Sequence, residues 1–91
     1  ALKQNVNKVP ILDISEKEIE DLTGIENFRQ LETLNCSKNA LLTLDLKKNT
    51  FLKELECQTN ELTTLDVSNN KALEILKRDP FHVNEEDFLY L

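Results

Sequence analysis

The side chains that could do chemistry in this chain are few, and their spacing says more than their number. Cys36 and Cys57 occupy equivalent positions of two successive 21-residue stretches, as do Asn39 with Asn60 and Asp45 with Asp66. A thiol acts as a nucleophile or metal ligand only as its thiolate, and a zinc-type site needs further ligands close by. The single histidine, His82, lies far along the chain from both cysteines. Two cysteines at matching positions of stacked units point the same way, whereas a disulfide needs Cβ atoms that face each other. Buried, unpaired structural thiols are therefore expected, with a disulfide and a metal site as the alternatives. A ladder of Asp45 and Asp66, with Asp13 on the other face, offers oxygen ligands of the kind calcium prefers. Lys47, Lys48 and Lys71 stand close by in sequence, and aspartate at a turn commonly accepts from nearby amides, so turn stabilisation is the expected role. His82 reads as surface or cap packing. No nucleophile sits with a base, and there is no phosphate loop or paired acids. The chain is expected to be no enzyme and to need no cofactor or metal.

Composition narrows the classes further. The 91 residues make one small domain, and a chain of this size buries only about 60–65% of its unfolded surface. Seventeen acidic against eleven basic residues give a net charge of −6, with no basic cluster. That balance argues against neutralising nucleic-acid phosphates and against docking on an anionic membrane surface. No apolar run approaches the length of a membrane span. The chain opens at Ala1 with neither methionine nor signal peptide, as a processed or trimmed start would.

What must position the few polar groups is a repeat. LETLNCSKNALLTLDLKKNTF begins at Leu31 and LKELECQTNELTTLDVSNNKA at Leu52. Leu31, Leu34, Cys36, Asn39, Leu41, Leu44 and Leu46 return as Leu52, Leu55, Cys57, Asn60, Leu62, Leu65 and Val67. A fixed period of this length marks a stacked solenoid. A weaker copy of 22 residues, VPILDISEKEIEDLTGIENFRQ, precedes them from Val9, with Lys17 in place of the asparagine. Its Gly24, the only glycine, marks a tight bend or close approach. A fourth copy starts at Leu73, keeps Leu76, and fails at Asp79-Pro80, which reads as a turn. The expected organisation is thus a single domain over 1–91: an N-terminal edge at 1–8, repeats at 9–30, 31–51 and 52–72, and a partial repeat with a cap at 73–91. Within that cap, Asn84 followed by Glu85, Glu86 and Asp87 predicts a short helix over 84–91. Val83 and Phe88 are spaced as a hydrophobic staple.

Around the second leucine of each repeat, apolar and polar residues alternate, which predicts a strand with one buried face. Leu34, Cys36, Leu55 and Cys57 should point inward, and Thr33, Asn35, Glu54 and Glu56 outward. Asn39 and Asn60 fall where strands end, so each is expected to satisfy backbone groups that the turn leaves unpaired. The second halves repeat L-x-x-L-D-(L/V)-x-x-N without room for three helical turns, which predicts an extended far side.

The blocks LETLNCSKN, LKELECQTN and LTTLDVSNN resemble the leucine-rich-repeat family, in its short bacterial type with cysteine at the sixth position. EIEDLTGIENF resembles internalin-like variants, and the likeness covers residues 9–77. It implies an α/β fold: a right-handed solenoid with a concave parallel sheet, a mostly extended convex side, and here a short C-terminal helical cap. It also implies protein recognition through the concave face, often in proteins secreted by bacteria or held on their surface; a cytoplasmic location is the alternative. The outward concave positions are Asp13, Ser15, Thr33, Asn35, Ser37, Glu54, Glu56, Gln58 and Lys77. The leading expectation is a non-enzymatic protein-binding module. The alternative is a structural spacer or capping segment of a larger surface protein. A monomer is expected, with edge-to-edge pairing of an exposed end coil as the competing state.

Overall fold

A computed structural model describes residues 6–80. In it four three-residue strands, β1 (Ile11–Asp13), β2 (Thr33–Asn35), β3 (Glu54–Glu56) and β4 (Ile75–Lys77), form one parallel sheet in chain order. Parallel neighbours that follow one another need the chain to travel back across the molecule between them. Among the described residues only two short 3-10 turns, Val6–Lys8 and Ile25–Asn27, are helical, so the return path runs through turns, bends and irregular backbone. Val6–Lys8 lies within the N-terminal edge. No helix among these residues is long and apolar enough to cross a membrane. The helix expected over 84–91, with Val83 and His82 before it, lies outside the described residues.

Register follows the leucines. Leu12, Leu34, Leu55 and Leu76 are partners in one row across all four strands. The ladder extends past the strand ends: Ile14, Cys36 and Cys57 donate their N–H groups to the carbonyls of Asn35, Glu56 and Lys77. Glu16 and Lys38 then donate to Ser37 and Gln58. What stops β1 and β2 is local. Asp13 Oδ1 accepts from the amide and hydroxyl of Ser15 at 3.0 and 2.7 Å, and Asn35 Oδ1 does the same for Ser37 at 3.1 and 2.6 Å. Such side-chain bonds two residues ahead compete with sheet pairing. Glu16, Lys38 and Thr59 follow in left-handed backbone at φ 53°, 58° and 59°, which swings the chain inward.

The asparagines hold that inward turn. Asn39 Oδ1 accepts from the amides of Lys17 and Ile19, both at 2.9 Å, and its Nδ2 donates to the carbonyls of Ile14 and Cys36 at 3.0 Å. Asn60 repeats this one coil later, accepting from Leu41 and donating to Cys36 and Cys57, each at 3.0 Å. On the far wall Asn49 and Asn70 are buried and each bridges two carbonyls: Ile25 and Phe28, then Leu46 and Asn49. Beyond Asn60, where a third turn asparagine would be needed, Asp79 takes over. Its Oδ2 accepts from the Asn60 amide at 3.1 Å, and the amides of Thr59 and Asn60 hold its carboxyl below the usual aspartate value.

Burial peaks in the two middle coils. Leu31, Leu34, Cys36, Leu41, Leu52 and Leu55 are closed to solvent, whereas Leu12, Ile14, Ile19, Leu62 and Leu65 pack against them only partly buried. One coil cannot cover its own apolar face, so the outer rungs stay partly wet. The first coil carries one extra residue: β1 to β2 is a step of 22, as in Leu12 to Leu34, and later steps are 21. Yet Asn49 meets Ile25 and Asn70 meets Leu46, which restores the 21-residue step by position 25. The surplus is therefore absorbed just before Ile25, at Gly24, whose φ of 112° few other residues tolerate.

Candidate functional site

The sheet's outer face is the one surface on which the fold aligns side chains from every coil. Its first row runs Ile11, Thr33, Glu54, Ile75, and its second Asp13, Asn35, Glu56, Lys77. Beyond the strands, Ser15, Ser37, Gln58 and Asp79 continue the same spacing. Ile11, Asp13, Glu54, Ile75 and Lys77 are exposed, and Ser15, Thr33, Asn35, Glu56 and Gln58 half-buried.

Ser37 does not face outward as expected. It is only 4% exposed, and its hydroxyl is spent on Asn35. Ser37 is thus part of the turn rather than of a contact surface. Asp13 is exposed but likewise turn-bound: the Ser15 hydroxyl, and then the Ser15 amide, lower its pKa below the usual aspartate value. The remaining polar contacts are loose. Thr33 Oγ1 donates to Glu54 Oε2 at 3.4 Å, Gln58 Nε2 to Glu56 Oε1 at 3.5 Å, and Lys77 Nζ stands 4.0 Å from Glu56. Surface pairs at these distances, exposed or half-buried, hold their partners weakly.

Two members of this face went unnamed in the sequence reading, Ile11 and Ile75. The signal was present, since stepping 22 residues back from Thr33 and 21 on from Glu54 reaches them. Isoleucine at these outward positions runs against the polar-outward alternation of β2 and β3.

The chemistry-bearing residues elsewhere serve structure. Cys36 and Cys57 are buried and free. Burial pushes their thiols up to about 12 and about 11, the Cys57 sulfur adding to the first and Asp79 to the second. At neutral pH both are protonated and inert. Asp45 and Asp66 accept from the amides of Lys47 and Ser68 at 3.1 and 2.8 Å, the turn role expected of them. Among the described residues no group of three His, Cys, Asp or Glu side chains is placed to hold a metal ion.

No protein-family model matches the chain, and no curated protein matches it. Among solved structures it is similar to the functional domain of InlJ from Listeria monocytogenes, a domain that includes a cysteine ladder. The two share 36% identity over 86% of this chain, with a TM-score of 0.76. The chain spans only 18% of that domain's length. In this chain Cys36 and Cys57 occupy matching positions of adjoining coils, both buried and free. In-register parallel strands, only two short 3-10 turns among the described residues and this similarity fit a leucine-rich-repeat-like solenoid and support an internalin-like relationship.

Proposed function

We propose that the chain is a non-enzymatic protein-binding module that engages its partner through the outer, concave face of the sheet, in a protein secreted by a bacterium or held on its surface. The observation that carries this reading is the pair of rows Ile11–Thr33–Glu54–Ile75 and Asp13–Asn35–Glu56–Lys77, drawn from all four coils. Most of those side chains are open to solvent and not needed by the core. The internalin-like relationship supports a surface location. The contact residues are Asp13, Ser15, Thr33, Asn35, Glu54, Glu56, Gln58 and Lys77, joined by Ile11 and Ile75; Ser37 drops out.

Site-specific photo-crosslinking tests the reading. A photoreactive residue at Thr33 or Glu54 should yield discrete crosslinked products with surface extracts, and one at Thr64, away from the sheet, should not. Glu54→Lys with Glu56→Lys should abolish those products while leaving the melting temperature unchanged. Crosslinking that is equal at Thr33 and Thr64, or indifferent to the charge reversal, would favour a spacer without a ligand.

A further inference from the structure

We infer that the first row of this face is spaced for an extended peptide segment of a partner protein, laid across the strands, with an apolar, a basic and an apolar side chain at every second position. The inference rests on the concave-face reading above and gives that partner a chemistry. Ile11 and Ile75 stand at the two ends of one register row, 66% and 45% exposed, with Thr33 and Glu54 between them. Neighbouring strands lie about 4.8 Å apart, so the three steps from Ile11 to Ile75 span about 14 Å. In an extended peptide, residues i and i+4 point the same way and lie about 13–14 Å apart. Residue i then covers Ile11, i+4 covers Ile75, and i+2 falls between Thr33 and Glu54.

Charge selects what i+2 should be. Asp13, Glu54 and Glu56 oppose Lys77 alone among the charged members of the two rows. Glu54 is exposed, and its hydrogen bond from Thr33 is long, so its carboxylate is open to a stronger donor. A lysine or arginine at i+2 reaches it, and an acid there meets the Glu54 carboxylate. Asn35, in the adjoining row, uses its Oδ1 on Ser37 but donates from Nδ2 to no described residue. Among the described residues nothing competes with a carbonyl of the crossing peptide for that amide. Two isolated isoleucines would be unremarkable on any surface; two in one row, at the reach of alternate side chains, with acid between them, make a pattern.

A phage-displayed library of random dodecapeptides, selected on the whole chain, supplies the probe. Enriched peptides should carry apolar-x-(Lys/Arg)-x-apolar. A synthetic peptide with the core Leu-Ser-Lys-Ser-Leu should lose about tenfold or more in affinity when one apolar residue becomes serine. Deleting one serine, which breaks the spacing, should do the same. Ile11→Ser, Ile75→Ser and Glu54→Lys are exposed substitutions that should leave the melt in place and each weaken binding by a similar factor. Peptides that require Glu54 and Glu56 but lack the pattern would overturn this inference and leave the concave-face reading standing. No enrichment, or enriched peptides indifferent to every one of these substitutions, would overturn this inference alone; equal crosslinking at Thr33 and Thr64 would overturn the concave-face reading with it.

Discussion

Asn60 shows how much a single amide can hold in a solenoid turn. Its oxygen takes the Leu41 amide from the preceding coil, and its nitrogen serves carbonyls of two coils at once. Asn60→Ala leaves those groups without partners at the edge of a dry interior, a cost of about 1–3 kcal/mol. A chemical denaturation series should show it as a lower midpoint with an unchanged slope, and a midpoint equal to the parent's would contradict the ladder. The thiols give a second prediction, in pH. Burial raises both pKa values in the folded chain, to about 12 and about 11, above the 9.0 of a free thiol. Below that free value both states hold the proton, and the stabilisation is complete. Above it the unfolded chain loses protons that the folded chain keeps, so stability falls as pH rises toward 11–12, by up to about 1.4 kcal/mol per pH unit for each thiol. Melting temperature should therefore drop more steeply above pH 9 in the parent than in a Cys36→Ala variant.

At the scale of the element, the strands are short because their ends are written into the side chains. A carboxylate or amide at the last strand residue and a serine two later close the turn in coils one and two, and a left-handed residue follows. Thr59 is an ill-suited occupant of that last place, since a β-branched residue at φ 59° is strained. Thr59→Asn keeps the backbone N–H that meets Asp79 and should raise stability by about 1 kcal/mol, read as a higher melting temperature; a lower one would show that the threonine side chain matters in another way. Much of this level was legible beforehand. The inward row of leucines, the role of Asn39 and Asn60 and the turn role of Asp45 and Asp66 all follow from repeat spacing and side-chain chemistry. Ser37 and Asp79 were not legible. Ser37 looked like a free outward serine because period-two logic does not know where a strand stops. Asp79 looked like a breaker beside Pro80, and only a folded chain shows that its carboxylate reaches back to Asn60. The candidate face was half visible: its polar members follow from alternation, its two isoleucines only from exact register.

Across the whole molecule, stability should depend on the rung. Leu55 is closed to solvent between β2 and β4, and Leu76, its partner one strand on, is 37% exposed. Leu55→Ala should cost about 2–5 kcal/mol, as core truncations do, and Leu76→Ala much less. Equal losses in urea unfolding would mean that the last coil is covered as fully as the middle ones. The even 21-residue step from β2 onward has a separate meaning for how such a chain lengthens. A duplication of residues 31–51 in tandem would hand each new leucine, cysteine and asparagine the same neighbours as the original, so the joint would be invisible to the packing. The first coil offers no such freedom. Its odd count is tied to the bend at Gly24, so copying it would carry that bend into the middle of the stack. Growth by copying is thus open to the 21-residue coils of this molecule and harder for the 22-residue one.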